Sequence, residues 1–473
     1  MIDALPNWLE LTALLLALLV LRQNVMVLLG VAVIYCYLVW GGGLPAGWRF
    51  GDWEAIDPVA LQSVMLDIWD ASTREILLSI PLYILAGAIM ARGTIATRLI
   101  AIMRQISKPV PGGLALATIL SCAVFSAISG SSTVTLLAVG AIMYPALLQA
   151  GYGKAFALGS ICAGGTLGII IPPSIPLILY GVITRTSIAD LFIAGIGPAL
   201  LLVALFSAYA LSRNWHRRGA FWDFSAFREG PLAAAIWQSL AVWRRGIFAL
   251  LLPVIILGGI YSGYFTPTES AAVAVLAALV IELFIHRDLR PADLGPVVTD
   301  TTRLLGSLFP VLALAVSLNT FLVYEQVPQQ LVATLNTVFD DLPSFMLAAN
   351  ALLLVTGFFI DIGSAVLILG PLLAPVAETF AVEQGGLFTW RPDGMSSSTI
   401  AELARIHFGI MMIVNLEIGY LTPPMGLNLI VAMGAFRESF GTVCRAVVPF
   451  ILLMMIGLSL IIAFPAIALF TNG

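Results

Sequence analysis

Apolar runs close to the length of a membrane-crossing helix follow one another along almost the whole chain, parted by short polar segments holding most of the arginines and lysines. Runs fall near residues 8–21, 25–40, 112–150, 155–183, 188–212, 304–324, 343–380 and 406–433. About 20 apolar residues cross a bilayer, so the length allows roughly a dozen crossings. The pattern predicts an all-α polytopic membrane protein forming one embedded unit over residues 1–473. The runs at 8–21 and 25–40 are short and need tilt or local thinning to span.

Two of the runs are interrupted in the same way. One reads Gly165-Thr-Leu-Gly168-Ile-Ile-Ile-Pro172-Pro173-Ser-Ile-Pro176, the other Glu417-Ile-Gly419-Tyr-Leu-Thr422-Pro423-Pro424-Met425-Gly426. In each, a glycine stands four residues before the first proline. Proline has no N–H, so the carbonyls of Gly168, Ile169, Gly419 and Tyr420 lose their helical donors. In hydrocarbon those oxygens need protein, water or a ligand. Paired broken helices at corresponding positions point to a transporter site near the bilayer midplane. A kink healed by hydroxyls or water is the plainer alternative for either break alone.

Basic residues favour the cytoplasmic side. They cluster at Arg92–Lys108, Arg213–Arg245, Arg287–Arg303 and Arg437–Arg445, all assigned inside. Parity then requires 112–150 to enter and return on one side, reversing at Ser126-Ala-Ile-Ser129-Gly130-Ser131-Ser132-Thr133. A second return over 343–380 reverses near Phe359-Ile-Asp361-Ile-Gly363-Ser364 from the opposite face. A re-entrant hairpin followed by a Pro-Pro helix thus occurs twice, as an inverted-topology repeat. The expected parts are a first transport half at 112–212, connecting helices and loops at 213–303, and a second transport half at 304–445. Residues 381–405 read as a polar external insert.

Composition agrees with the pattern. The chain has 473 residues, 60% hydrophobic and only 10% charged, with a mean hydropathy of +1.03. Soluble proteins carry about 25% charged residues. A net charge of −4 supplies no basic face, which argues against nucleic acid. The N-terminus lacks a basic n-region and stays apolar past residue 40, the pattern of a retained segment rather than a cleaved signal. Four cysteines without ligand-like spacing read as core residues, and the three histidines are too scattered to suggest a metal site, leaving sodium the only expected metal. Ala127-Ile-Ser129-Gly130 lacks the first glycine of a serine-hydrolase elbow, and Gly153-Lys154-Ala155 lacks the hydroxyl of a P-loop. An intramembrane hydrolase is a remote alternative, and no enzyme activity is expected.

The stretch Gly164-Gly-Thr-Leu-Gly-Ile-Ile-Ile-Pro-Pro-Ser-Ile-Pro-Leu-Ile-Leu-Tyr-Gly181 resembles the large membrane subunit of TRAP (tripartite ATP-independent periplasmic) transporters. So do Leu191–Pro198, Tyr261–Glu269 and His407–Asn428. The resemblance implies an elevator-type, sodium-driven importer of organic acids in a bacterial or archaeal inner membrane. Its partners would be an extracytoplasmic (periplasmic) solute-binding protein and a small four-helix membrane subunit, here expected as a separate chain. It places one sodium ion at Gly168, Ile171 and Pro173 with a hairpin oxygen near Ser126. The second falls at Gly419, Thr422 and Met425 with a partner from Gly357–Gly363. The lost hydrogen bonds select Gly168 and Gly419 independently, and carbonyl oxygens suit a hard cation.

Substrate is expected between the hairpin tips and the breaks, with Ser129, Ser131, Ser132, Thr133 and Asn428 as contacts. Hydroxyls and half-helix N-termini suit a carboxylate, although serine and threonine also pack membrane helices closely. Asp361, Asn415 and Glu417 are costly in hydrocarbon and point to function. Even so, Glu417 could bond backbone at the break, and Glu269 could cap a helix. A sodium–dicarboxylate symporter working without a binding protein is the nearer rival.

Overall fold

In the computed structural model the described residues are 10–11, 13–15, 17–18, 21, 23–43, 56–215, 232–335, 337–339, 341–384, 396–423 and 426–470. Among them every regular element is helical. The first five helices are α1 (Val25–Tyr35), α2 (Pro58–Thr73), α3 (Ser79–Arg92), α4 (Ile95–Ser107) and α5 (Gly113–Ser129). Next come α6 (Ser132–Gln149), α7 (Lys154–Ile170), α8 (Ile175–Thr184), α9 (Ile188–Asn214), α10 (Leu232–Tyr261) and α11 (Pro267–Leu279). The remainder are α12 (Pro291–Tyr324), α13 (Val327–Leu335), α14 (Leu342–Gly357), α15 (Ile362–Gln384), α16 (Ser397–Tyr420), α17 (Leu427–Phe436), α18 (Phe440–Ala463) and α19 (Ala466–Leu469). Nine helices among the described residues are long and apolar enough to cross a membrane.

Both interruptions are present. α7 ends at Ile170, and the chain leaves the helix through Ile171-Pro172-Pro173 before α8 begins. Ser174 starts α8 by accepting the Leu177 N–H at 3.3 Å, an ordinary N-cap. α16 ends at Tyr420, and α17 begins at Leu427. Pro424 and Met425 lie outside the described residues.

Each broken helix follows a tight helical hairpin. The α5–α6 turn is only Gly130-Ser131, with Gly130 at φ 60 closing α5 by donating to the Ser126 carbonyl. A left-handed backbone with a neighbouring carbonyl this close wants glycine: a Cβ at Gly130 would lie 2.6 Å from the Pro173 oxygen. The α14–α15 turn spans 358–361, and Asp361 starts α15 by accepting the Ser364 N–H at 2.9 Å.

The broken helices are central. Their most apolar stretches are 89% (α7–α8) and 83% (α16) buried, against 39% for α11, α12 and α18. α5 and α6 pack on α7, α14 and α15 pack on α16, and α7 touches α16. The helices α2, α3, α11 and α12 form a separate packed group, with α10 alongside.

Two boundaries depart from the expected ones. α12 starts at Pro291 rather than near 304, because the Asp293 carboxylate accepts the Arg290 N–H at 2.9 Å and caps a polar first stretch that hydropathy does not register. The expected polar insert over 381–405 is helical at both of its described ends: α15 runs to Gln384, and Ser396 caps α16 by accepting from Thr399. Residues 385–395 lie outside the described residues.

Candidate functional site

A cavity of about 150 Å³ lies where both hairpin tips meet both breaks. The first tip contributes Gly130, Ser131, Ser132 and Thr133; the second contributes Asp361, Ile362 and Gly363. Ile169 and Ile175 come from either side of the first break, Tyr420 and Leu427 from either side of the second. Leu304 and Leu308 of α12 close it from the other helix group. Two tips, two breaks and α12 thus share one small space, with the hydroxyls of Ser131, Ser132, Thr133 and Tyr420 among a mostly apolar lining.

The first break is pressed against its hairpin. A Cβ at Gly168 would sit 2.5 Å from the Ser131 carbonyl oxygen and 2.9 Å from Thr135 Oγ1. Ser129 Oγ lies 2.7 Å from Thr135 Oγ1 and 3.4 Å from the Ser131 oxygen. Several oxygens therefore converge beside a helix end where Pro172 and Pro173 supply no i+4 donor to the Gly168 and Ile169 carbonyls. Ser126 is fully buried, and its hydroxyl has no hydrogen-bond partner among the described residues. Such an oxygen set fits a hard cation.

The second break repeats the close approach but not the orphaned oxygen. A Cβ at Gly419 would fall 2.5 Å from the Gly357 carbonyl, so the two glycines let α16 and the end of α14 touch through backbone. The expected loss of a donor at the Gly419 carbonyl does not occur. The chain curls, and the Thr422 N–H donates to Gly419 at 3.0 Å, one residue earlier than the missing proline donor. Thr422 Oγ1 donates to the Ile418 carbonyl at 2.7 Å. The Gly419 carbonyl is thus satisfied locally and keeps a second lone pair, while Pro423 and Pro424 supply no donor to the Tyr420 carbonyl.

Contacts between the two halves were not visible residue by residue. Asn428 Nδ2 donates to Ser132 Oγ at 2.5 Å, joining two separately chosen residues, 296 positions apart. The Asn428 Oδ1 atom has no partner among the described residues. Tyr420, not singled out in the sequence, accepts the Ile362 N–H at 3.2 Å and fastens the second tip to the second break. Asn415 Nδ2 donates to Asn350 Oδ1 at 2.7 Å and to the Asn350 carbonyl at 3.0 Å. Glu417 is fully buried with neither carboxylate oxygen hydrogen-bonded among the described residues, so it does not bond backbone at the break. Glu269 does cap its helix, through a reciprocal pair of bonds with Thr266.

Ser131, Ser132, Thr133 and Gly363 line the cavity. Ser126, Ser129, Gly168, Ile171, Pro173, Gly419 and Thr422 are not among its lining residues, and Met425 lies outside the described residues. An apparent ligand cluster elsewhere, Glu282, His286 and Asp288, was not expected from scattered histidines. Asp288 is already held by Arg98 at 2.6 Å and by Thr94, and Glu282 accepts the Ile95 N–H at 2.9 Å. This arrangement ties the start of α4 to the segment that follows α11.

The fold is one already seen in membrane transporters. It superimposes on the Alcanivorax borkumensis YdaH transporter with a TM-score of 0.63 at 13% identity, over 93% of this chain and 98% of that one. Against Neisseria gonorrhoeae MtrF, described as an antimetabolite efflux pump, the TM-score is 0.60 at 12% identity, over 93% and 95%. The described residues thus form a multi-pass helical membrane protein with two broken helices at its centre. Residues 12–467 match the family described as the tripartite ATP-independent periplasmic transporter, DctM component, and the chain belongs to that family. The C4-dicarboxylate TRAP transporter large permease protein DctM of Pseudomonas aeruginosa is 35% identical over 87% of this chain and 90% of its own length. The ectoine TRAP transporter large permease protein TeaC of Halomonas elongata is 32% identical over 97% of each. The 2,3-diketo-L-gulonate TRAP transporter large permease protein YiaN of Escherichia coli is 31% identical over 80% and 82%.

Proposed function

We propose that this permease carries a small organic acid into the cell, coupled to sodium, after delivery by an extracytoplasmic solute-binding protein. The observation that carries the reading is the convergence of both hairpin tips and both helix breaks on one hydroxyl-lined cavity. Relatives named for C4-dicarboxylates, ectoine and 2,3-diketo-L-gulonate make a small carboxylate the favoured solute class. Ser131, Ser132 and Thr133 would offer donors to its oxygens, and the N-terminal ends of α6 and α15 would favour negative charge. Asn428 would hold Ser132 in position.

Sodium would travel as cargo beside the solute. Gly168, Ile171, Pro173 and Ser126 would bind one ion, with Ser129 and Thr135 oxygens close by. Gly419, Thr422 and Met425, facing the Gly357–Gly363 turn, would bind the other. The two hairpin-plus-broken-helix units, α5–α8 within 112–212 and α14–α17 within 304–445, would be inverted halves of one moving body, with α12 outside it. That body would slide against the group containing α3, α11 and α12, with 213–303 as the connection. A small four-helix subunit would brace that group, and the family supports an inner-membrane location.

Proteoliposomes holding the permease, its small subunit and loaded binding protein test the reading. Uptake should require an inward sodium gradient and should stop when binding protein is withheld. Uptake that is indifferent to sodium would overturn the coupling. Uptake without binding protein would favour the simpler symporter, which shares the hairpins and breaks.

A further inference from the structure

A second cavity, of about 170 Å³, lies farther along the same helices. Thr184 and Arg185 at the end of α8, Asn319 and Val323 of α12, Glu378 of α15 and Arg405 of α16 line it. The two cavities draw on three helices in the same order. α8 gives Ile175 and Leu179 to the first and Ile183 to the second, a spacing of four that keeps all three on one face. α12 gives Leu304 and Leu308 to the first, then Asn319 and Val323 to the second. α15 starts at the first with Ile362 and Gly363 and reaches the second at Pro371 and Ala374. At 1.5 Å per residue, the stretch of α8 concerned is roughly 13 Å long. α12 and the α8–α15 pair thus border both spaces, which lie along one seam between these helices.

The charges in the second cavity do not cancel. Arg405 Nε lies 3.1 Å from the Glu378 carboxylate, which compensates it. The exposed Arg185 side chain has no ion pair or hydrogen bond among the described residues. Only its backbone is engaged, at φ 55, where its N–H donates to the Gly181 carbonyl and ends α8. Asn319 Nδ2 is spent on the Ile183 carbonyl at 3.3 Å, and Thr184 Oγ1 on the Tyr180 carbonyl at 2.7 Å. Among the described residues, one guanidinium without an ion pair thus stands in a recess of mixed polar and apolar lining, well below the ~300–1,000 Å³ of drug-sized pockets.

We propose that this recess is an anion-receiving vestibule, in which Arg185 captures the carboxylate of a small solute before it passes along the seam to the hydroxyl-lined cavity. The proposal rests on the organic-acid uptake reading above and adds to it a separate, earlier binding step. A guanidinium is suited to the role because it offers a planar fork of donors to a carboxylate. With no second cation left free beside it, capture is weak enough for onward release.

The test needs no knowledge of the solute. In the full chain in nanodiscs, with the four native cysteines replaced by serine, Val323→Cys places a thiol on the lining. Its reaction rates are measured with anionic sulfonatoethyl and cationic trimethylammonioethyl methanethiosulfonate. The anionic reagent should be favoured relative to free thiol. Arg185→Gln should lower the anionic-to-cationic ratio about fivefold, the scale expected for one charge several ångströms away in a wet site. Arg185→Lys should restore most of it. A ratio unmoved by Arg185→Gln, or an equal drop in both rates, overturns the vestibule. Labelling requires neither sodium nor turnover, so it can fail while sodium-driven uptake holds, and the reverse.

Discussion

At the scale of single residues, the site depends on atoms that are missing as much as on those present. Gly168 and Gly419 have no side chain, and that absence lets each broken helix touch a hairpin through backbone. Gly419→Ala would drive a methyl into the Gly357 carbonyl, and backbone cannot swing aside as a long side chain can. We expect Gly419→Ala to insert in the membrane yet lose most sodium-dependent uptake, read in proteoliposomes at matched protein. Full activity would show that the contact is incidental. The Asn428–Ser132 bond makes a different prediction, because it joins the two halves. In a thermal-unfolding double-mutant cycle, Asn428→Ala and Ser132→Ala should couple by about 1 kcal/mol, the usual net worth of a buried hydrogen bond. Purely additive effects would mean that the bond contributes nothing.

At the scale of elements, the two breaks share a cause but differ in outcome. Double proline removes two donors in each, yet the second break recovers one through Thr422 while the first meets hydroxyls of the hairpin. Replacing Pro172 and Pro173 by alanine restores both donors and favours continuous helix through 171–174. The half-saturating sodium concentration for uptake should then rise at least about tenfold, a loss of ~1.4 kcal/mol of ion binding. Changing Pro423 alone should have the smaller effect. A second clasp sits outside the apolar layer, where Glu438 accepts from Tyr144 at 2.9 Å and pairs with Lys154 at 2.8 Å. The Lys154 and Tyr144 bonds hold the Glu438 carboxyl below the usual carboxylate range. A lowered folded value means that the contribution is present above the unfolded pKa and disappears as pH falls through the folded one. Glu438→Gln should therefore lower the melting temperature at pH 7 but not in strong acid, and the clasp should not respond between pH 5 and 8.

For the whole molecule, the arrangement separates a central body of two hairpins and two broken helices from the group around α3, α11 and α12. The first cavity lies on the seam between them, where Leu308 and Leu179 both approach Gly363, at 3.8 and 3.4 Å from the place of its missing Cβ. If transport requires the body to slide, fastening Leu308→Cys to Leu179→Cys should abolish uptake and reduction should restore it, while each single variant stays active. Persistent uptake by the cross-linked protein would rule out sliding at this seam. The Arg185 recess lies along the same seam, so the proposed entry and the proposed movement would share one surface.

What the sequence determined by itself is local and covalent. A proline has no N–H whatever surrounds it, so both interruptions could be read, as could the hairpin turns and the need for lipid. The family motifs around them were legible for the same reason, being contiguous. Tertiary structure alone decided which tip meets which break, because those contacts join positions far apart along the chain. Asn428 meeting Ser132, Tyr420 holding Ile362 and Asn415 reaching Asn350 leave no periodic trace. It also decided that the Gly419 carbonyl keeps a donor, since whether a broken helix stays open or curls depends on what packs against it. The Arg185 recess belongs to that second class: no spacing announces it, and it exists only because α8, α12, α13, α15 and α16 come together there.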